Sequence, residues 1–232
     1  MLSIIIPTHN EENYLPKLLK SIKEQNFSDY EIVVADANST DKTREIAASF
    51  GAKIVNGGLP GAGRNRGAEA ARGDIFLFLD ADVFLPDNNF LNDVLKEFLE
   101  RKLEMATCRL KPDGGKLIDT FFHKFYDFYV TAMIKIIPHA PGFFILITKN
   151  LFNEIGGFDE TITLCEDTDL TVRAAKKGRF GFLRARKIKV AVRRFDVDGR
   201  LNVALKYIWA EIVLLLGKRI RGWPKYNFFY KK

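Results

Sequence analysis

Short apolar runs alternate with amphipathic segments through the first hundred residues. Four runs have the length of strands, at Leu2–Pro7, Tyr30–Ala35, Ala52–Asn56 and Ile75–Leu79. After the first run, apolar residues recur at the i, i+3, i+4, i+7 spacing of a helix face, at Leu15, Leu18, Leu19 and Ile22. A second helix is predicted over Arg44–Phe50, and Gly51 is suited to ending it. Strands that alternate with helices predict an α/β fold with a mostly parallel sheet covered on both faces.

The second half of the chain is less regular. Helices are predicted at Phe90–Glu100 and Thr163–Lys177. Strands are predicted at Met105–Leu110, Gly142–Thr148, Arg179–Leu183 and Ile188–Val192. Lys116–Ile137 is crowded with Phe, Tyr and Ile, and Leu201–Leu216 has the periodicity of an amphipathic helix. No linker is visible, which predicts one domain over 1–198 followed by an appendage over 199–232.

The composition is that of an ordinary globular protein, since 47% of the 232 residues are apolar and 28% are charged. No uncharged apolar stretch reaches the roughly eighteen residues of a transmembrane helix. The N-terminal residues read as a strand and not as a secretory signal. Cys108 and Cys165 are far apart and form no CxxC motif, which indicates free thiols. These observations predict a cytoplasmic protein.

Positive charge is concentrated near the C-terminus. The net charge is +7, and Gly217–Lys232 contains six Lys or Arg residues and no acid. Such a tail favours an anionic partner. Basic and aromatic residues that follow an amphipathic helix are typical of peripheral attachment to the inner face of a membrane. The alternative for Leu201–Leu216 is packing on its own domain or in a dimer.

Polar clusters follow four of the predicted strands, at Pro7–Glu12, Asp36–Asp41, Gly57–Gly67 and Asp80–Asp82. The carboxyl ends of parallel strands meet at one edge of a sheet, and ligands of open α/β sheets bind there. We therefore expect these clusters to converge on one site.

Asp80 and Asp82 follow a buried strand and provide the strongest single signal. In an extended chain, residues i and i+2 point to the same side, so both carboxylates can face one ligand. A divalent ion would relieve their repulsion, and Mg²⁺ or Mn²⁺ leaves positions open for phosphate oxygens. A solvated loop with helix-capping acids is the alternative.

The first strand is not followed by the glycines of a dinucleotide-binding loop. The polar residues Pro7–Glu12 suit a base and a ribose better, although Asn10 or Asn13 could simply cap a helix. Gly57–Gly67 lacks the Lys-Ser/Thr ending of a phosphate-binding P-loop. A flexible loop explains its glycines equally well, but it does not readily explain Arg64, a phosphate-binding type of side chain.

Taken in order, these motifs resemble those of glycosyltransferase family 2. The matching segments are Ile4–Glu12, Val33–Asp41, Gly63–Gly67, Phe78–Asp82, Gly156–Glu160 and Glu166–Leu170. The resemblance extends from about Leu2 to Arg194 and implies a GT-A (nucleotide-diphospho-sugar transferase) fold and an inverting mechanism. By position, the resemblance implies nucleotide-sugar contacts from Pro7, Thr8, His9, Glu11, Asp36, Arg64, Asp80 and Ala81. It also implies that Asp82 and Asp80 hold Mn²⁺ or Mg²⁺.

The same resemblance implies a catalytic pair at Glu166 and Asp167, with Asp167 as the base. Glu166 also has a structural alternative, because Thr163 and Glu166 have the spacing of a capping box. His9 stands where the family often has an aromatic residue, so it either stacks on the base or has a structural role. Asp169 and Arg173 are spaced to form an ion pair on a helix surface.

The function predicted is a metal-dependent inverting glycosyltransferase that uses a nucleotide diphosphate-sugar and a saccharide or lipid-linked acceptor. The alternative is a polyprenyl- or dolichyl-phosphate glycosyltransferase, whose anionic acceptor would need no base. A nucleotidyltransferase is disfavoured because the phosphate loop is missing after the first strand. A nucleic-acid-binding module would not explain the acids at the strand ends, so no nucleic-acid partner is predicted.

Overall fold

A computed structural model of the chain describes residues 1–113, 138–191 and 199–221. The strands have the bounds β1 Leu2–Thr8, β2 Tyr30–Asp36, β3 Lys53–Asn56, β4 Ile75–Phe78, β5 Val83–Phe84, β6 Met105–Asp113, β7 Ile145–Thr148 and β8 Phe180–Ala191. The helices have the bounds α1 Leu15–Lys23, α2 Thr43–Ser49, α3 Pro60–Ala70, α4 Phe90–Glu100, α5 Lys149–Glu154, α6 Glu166–Lys177 and α7 Arg200–Leu215.

The described strands form one eight-stranded sheet with the order β3-β2-β1-β4-β7-β6-β8-β5. The first half is parallel, since β1 pairs with β2 and β4, and β2 pairs with β3. β7 runs antiparallel to β4 and β6, whereas β6 and β8 run parallel to each other. The predicted α/β fold with helices flanking a mostly parallel sheet is therefore confirmed.

The register of the parallel strands brings their polar ends together. Thr8 at the end of β1 lies opposite Asp36 at the end of β2, and Asp36 lies opposite Asn56. β4 is followed closely by Asp80 at the same end. The loops after these four strands therefore share one edge of the sheet, which positions the candidate site.

Two apolar layers hold the sheet in place. On one face, Leu18 of α1 and Phe98 of α4 are fully buried in the same cluster. On the other face, Phe78 packs with Phe158 and with Leu170 of α6. Each such side chain contributes about 1.5–3 kcal/mol when fully buried. The site edge is thus supported from both sides of the sheet.

The glycine-rich segment is a helix and not a flexible loop. α3 begins at Pro60, a residue favoured in the first turn of a helix. Gly67 lies against β1, where a Cβ atom would collide with the side chain of Ile5. A Cβ at Gly63 would lie 3.5 Å from the Pro7 Cβ. The glycines therefore permit close packing of α3 on the sheet.

The strand β8 is continuous where two short strands are predicted. Its pairing with β6 shifts between Leu183 and Lys187, which oppose consecutive β6 residues. The amides of Arg184 and Ala185 donate hydrogen bonds to Oε2 of Glu97 in α4, at 2.7 and 2.8 Å. This bulge explains the polar interruption in the sequence pattern.

Other sequence predictions differ in their bounds or fall elsewhere. β7 begins at Ile145, three residues after the predicted start. The predictions for Lys116–Ile137 and for the tail beyond Arg221 lie outside the described residues.

Helix α7 turns towards solvent most of those large apolar side chains whose burial the structure describes. Ala210 is buried, and Glu211 is directed at His139. Exposed fractions between 39% and 67% are found for Leu205, Ile208, Trp209, Ile212, Leu215 and Leu216. We call this set the α7 stripe. The helix packs on its domain with another face, and no helix of the described ranges is long and apolar enough to cross a bilayer.

Candidate active site

Asp36 joins the loops that follow β1 and β2. Its side chain is completely buried, and its Oδ1 accepts hydrogen bonds from the hydroxyls of Thr8 at 3.0 Å and Ser39 at 2.5 Å. Its Oδ2 accepts from the Ser39 amide at 3.1 Å and from Arg44 at 3.1 Å. Asp36 and Thr8 thus lie at the predicted edge, where their contacts fix the shape of the two loops.

His9 continues this edge with a fixed ring. Its Nδ1 lies 2.7 Å from the carbonyl of Ala37, which can only accept, so Nδ1 carries a proton. Its Nε2 lies 3.2 Å from the side-chain amide of Asn10. Pro7, two residues before His9, pairs with Ala35 of β2. The Glu11 amide donates to the hydroxyl of Thr43 in α2 at 2.7 Å. Five of the residues singled out in the sequence therefore lie side by side along this edge, as one wall: Pro7, Thr8, His9, Glu11 and Asp36.

Arg64 connects this wall to the second half of the chain. Its Nη2 donates to Asp80 Oδ1 at 2.7 Å and its Nη1 donates to Glu166 Oε1 at 2.8 Å. The side chain is only 3% exposed and lies over the ring of Phe158, 5.4 Å from the centroid. Its Nε is buried and has no hydrogen-bond partner within the part of the chain that the structure describes. A buried N–H without an acceptor costs about 1–3 kcal/mol.

Three carboxylates surround the guanidinium of Arg64. Burial lowers the pKa of Arg64, but Asp80, Glu166 and Asp167 together outweigh burial, so this pKa lies above its ordinary value. Burial and the neighbouring Asp167 raise the pKa of Glu166, and Arg64 only partly opposes them. Glu166 is therefore a weaker acid than an ordinary glutamate.

The predicted capping box at Thr163 and Glu166 is wrong. α6 begins at Glu166, and Cys165 before it has a φ of 62° and provides no side-chain cap. The Thr163 hydroxyl instead donates to the carbonyl of Ile220 at 3.4 Å. Arg64, separated from Glu166 by 102 positions, draws the carboxylate into the interior. A tertiary ion pair has replaced the local hydrogen bond.

Asp167 is held by two backbone amides. Its Oδ2 accepts from the Gly142 amide at 2.7 Å and its Oδ1 accepts from the Thr168 amide at 2.7 Å. A Cβ at position 142 would lie 2.5 Å from Nη2 of Arg64, so glycine alone fits without moving the guanidinium. The two candidate catalytic carboxylates are thus positioned by three separate segments.

Asp80, Ala81 and Asp82 form a turn between β4 and β5. The amide of Val83 donates to the carbonyl of Asp80 at 3.4 Å, so the chain here is not extended. The extended-chain argument for both acids facing one side is therefore wrong. Ala81 is buried, while Asp80 and Asp82 are partly exposed.

The donor set at this turn suits a metal that arrives with phosphate. Within residues 1–113, 138–191 and 199–221, no three His, Cys, Asp or Glu side chains gather into a preformed metal centre. Mg²⁺ commonly binds through one or two carboxylates together with phosphate oxygens of the substrate. Asp80 and Asp82 fit this requirement.

Asn65 makes a structural contact beside the candidate site that the sequence reasoning missed. Its Oδ1 accepts from the Phe158 amide at 2.9 Å, and its Nδ2 donates to the Phe158 carbonyl at 2.9 Å. The preceding Gly156 and Gly157 have φ values of 74° and 65°, which favour glycine. An asparagine inside a helix was the available signal, since this side chain competes for backbone hydrogen bonds.

Contacts from the C-terminal segment were also missed. Glu211 accepts a hydrogen bond from the buried His139 at 3.0 Å. The predicted pair of Arg173 and Asp169 exists at 2.7 Å, but Asp169 is buried and also binds Arg219 at 2.9 Å. These partners are distant in sequence, so no local pattern indicated them.

Comparisons with known proteins identify the family. The family model for glycosyl transferase family 2 matches residues 3–163. An uncharacterised glycosyltransferase of Rickettsia typhi is 31% identical over 189 residues. This match covers 73% of the chain and 57% of the relative, so the chain spans little more than half of that protein.

Solved structures share the fold. The mannosyltransferase PcManGT of Pyrobaculum calidifontis, in complex with GDP-Man and Mn²⁺, matches with a TM-score of 0.74 and 22% identity, over 92% of this chain and 64% of that one. TarS residues 1–349 of Staphylococcus aureus, in complex with UDP-GlcNAc, match with a TM-score of 0.66 and 24% identity, over 82% and 58%. The chain has the GT-A fold and belongs to glycosyl transferase family 2.

Proposed function

We propose that this chain transfers a sugar from a nucleotide diphosphate-sugar to an acceptor hydroxyl, with inversion at the anomeric carbon. The observation that carries the proposal is the buried Arg64, which joins Asp80 at the donor edge to Glu166, the neighbour of Asp167. One guanidinium among three carboxylates leaves a net negative charge, so a diphosphate would bind here together with the divalent metal proposed at Asp80 and Asp82.

The donor would lie along the wall built by Pro7, Thr8, His9, Glu11 and Asp36. Base and ribose would contact the half-buried Pro7, His9 and Glu11, and the diphosphate would reach Arg64. The buried Thr8 and Asp36 would hold the shape of this wall. Asp80 and Asp82 would hold Mn²⁺ or Mg²⁺, which when bound stabilises negative charge on phosphate oxygens. The two similar structures contain GDP-Man with Mn²⁺ and UDP-GlcNAc, so bound donors of this class support the proposal.

Asp167 would act as the base for the acceptor. The acceptor oxygen bonds to the anomeric carbon while its proton passes to Asp167, and the bond from that carbon to the diphosphate breaks with both electrons. General-base catalysis of this kind contributes on the order of 10²–10⁴ in rate. The Gly142 amide, 2.7 Å from Oδ2, keeps the carboxylate oriented.

A thermal-shift screen of UDP- and GDP-sugars, with Mn²⁺ or with chelator, tests donor binding. A donor present at about 100 times its Kd adds about 2.7 kcal/mol of stability, which gives a clear rise in Tm. The rise should require metal and should be lost in Asp82→Ala. The control variant is Glu154→Gln, because Glu154 is an exposed residue that forms a surface salt bridge with Lys177. A donor-dependent rise that is the same in chelator or in Asp82→Ala would refute the metal assignment.

The Asp167→Asn variant tests the base. We expect donor binding to remain and transfer to a hydroxyl acceptor to fall by about 10²-fold or more. Wild-type transfer by this variant would exclude Asp167 as the base. Proton NMR of the product would report the anomeric configuration, and retention would refute the inverting mechanism.

A polyprenyl or dolichyl phosphate acceptor, at the inner face of a membrane, is the second candidate. The exposed α7 stripe and the exposed Lys218 beside it support this candidate, because apolar faces beside basic residues bind anionic lipid interfaces. Cosedimentation with vesicles of phosphatidylglycerol and phosphatidylcholine, compared with phosphatidylcholine alone, tests this surface. Ile212→Glu should abolish binding, and equal binding by that variant would refute the assignment.

The two candidates differ in their need for a base. A polyprenyl phosphate acceptor is already anionic, so Asp167→Asn should retain transfer to it while losing transfer to a saccharide hydroxyl. Assays of both acceptors with wild type and this variant separate the two readings.

A further inference from the structure

His139 and Glu211 form a buried link between helix α7 and the candidate active site. His139 is 2% exposed, and its Nε2 lies 3.0 Å from Oε1 and 3.2 Å from Oε2 of Glu211. An ionised carboxylate only accepts, so the imidazole is the donor. Glu211 is the sole acidic residue in the α7 sequence Arg200–Leu215. Its carboxylate points into the protein, whereas the α7 stripe is exposed to solvent.

The segment that carries His139 also carries the amide that binds Asp167. Ala140 is 1% exposed, and the Phe144 amide donates to the Pro141 carbonyl at 3.1 Å, which closes a turn around Gly142. The Gly142 amide then donates to Asp167 at 2.7 Å. This short turn is therefore tied to α7 at one end and to the proposed base at the other.

The chain after α7 is tied to the other side of the base. Ile220 forms an antiparallel bridge with Leu164, and its carbonyl accepts from the Thr163 amide at 3.0 Å. Arg219 binds the buried Asp169 at 2.9 Å. Both contacts flank the first turn of α6, which bears Asp167. The C-terminal segment thus contacts residues on both sides of Asp167 in the sequence.

Electrostatics agree with this proximity. The thiol of Cys165, two residues before Asp167, has a raised pKa, first because of burial and then because of the negative charges of Asp167, Glu166 and Glu211. The charge of Glu211 is therefore close enough to influence the pKa of Cys165, the residue just before α6.

We propose that Glu211 and His139 are positioning residues that orient Asp167 through the Gly142 turn, and that helix α7 thereby controls the acceptor step. This inference rests on the proposed role of Asp167 as base. It also assigns α7 a role in catalysis that is separate from any surface it binds with its outer face.

The test compares variants at position 211 in the full chain, with the donor chosen by the thermal-shift screen. We expect Glu211→Ala to lower kcat by about tenfold or more at unchanged donor KM, since a misplacement of about 1 Å can cost 10²-fold. Glu211→Gln retains an oxygen that can accept from His139, so it should stay within about threefold of wild type. Asn202→Ala, an exposed change on the same helix, is the control and should leave kcat unchanged.

A double-mutant cycle separates positioning from loss of stability. If the two residues act in one chain of contacts, His139→Gln combined with Glu211→Ala should be no slower than the slower single variant. Should Glu211→Ala fail to fold, Glu211→Asp shortens the carboxylate arm and permits the same comparison. Wild-type kcat in Glu211→Ala, or in Glu211→Asp where Glu211→Ala does not fold, would overturn the proposal, and so would effects of the two changes that multiply.

Failure of this inference can be told apart from failure of the proposed function. If Asp167→Asn is inactive while Glu211→Ala keeps wild-type kcat, only the positioning role is refuted. If Asp167→Asn retains transfer to a hydroxyl acceptor, the base assignment fails, and the inference fails with it.

Discussion

Replacing Arg64 by methionine should cost the protein much of its stability. The change removes two charge-assisted hydrogen bonds, of 2.7 Å to Asp80 and 2.8 Å to Glu166, at a side chain that is only 3% exposed. Breaking a buried ion pair by removing one partner costs about 3–5 kcal/mol, because the other charge is left unpaired. The Asp80 side chain is 34% exposed, so water screens it, and most of the loss should come from Glu166.

Urea denaturation followed by circular dichroism measures this loss. We expect Arg64→Met to lower the free energy of unfolding by about 3–5 kcal/mol at neutral pH. The variant Arg64→Met/Glu166→Gln should recover a large part of it, because the unpaired buried carboxylate is then gone. Arg64→Lys should give an intermediate loss, since a single ammonium cannot donate in the planar two-pronged geometry of a guanidinium.

The pH dependence gives an independent check of the same reasoning. Arg64 lowers the pKa of Glu166, so its removal should raise that pKa further. Glu166 would then be protonated more easily in the variant, and the stability gap to wild type should shrink as the pH falls. A loss below about 1 kcal/mol, or a double variant in which the two losses simply add, would refute the picture of a buried ion pair.

Three further predictions follow from the same site. Gly142→Ala should push Nη2 of Arg64 away from Asp80 and weaken metal-dependent donor binding; unchanged donor affinity by calorimetry would show that the guanidinium can yield. Burial and nearby carboxylates raise the pKa of Cys165, and Cys108 is buried, so neither thiol should react quickly with Ellman's reagent until the protein is unfolded; a fast native phase would contradict this. The pKa of Glu166 is raised from its ordinary value of 4.5, so its contribution to stability is full below pH 4.5 and is lost as the pH rises through the folded pKa. Glu166→Gln should therefore flatten the dependence of the free energy of unfolding on pH, measured by urea titrations at several pH values. An unchanged pH dependence would contradict this.

The parallel half of the fold was predictable because its signals are local. Apolar runs such as Leu2–Pro7, the helical spacing that follows, and Gly51 with its φ of 73° each report on their own neighbourhood. The edge where the site lies follows from the same pattern, since strand polarity fixes which loops meet. The placement of Thr8, Asp36 and Asp80 at this edge therefore follows from the sequence.

What failed depended on contacts between distant segments. Glycine normally disfavours a helix, and the helical state of α3 is explained only by the close approach of Gly67 to Ile5. Glu166 has a satisfactory local partner in Thr163, but it lies instead against a cation from α3. The turn at Asp80–Asp82 and the contact between His139 and Glu211 likewise depend on folded neighbours that no window of sequence contains.

Consecutive residues of α3 make separate contacts with the second half of the chain. Successive side chains of an α-helix are rotated by about 100°, so Arg64 enters the charged interior while Asn65 grips the backbone at Phe158. One added or deleted residue in this helix would turn both side chains away from their targets at once. Natural insertions and deletions should therefore occur in the connecting loops and not in α3, because the length of this helix sets the positions of both side chains.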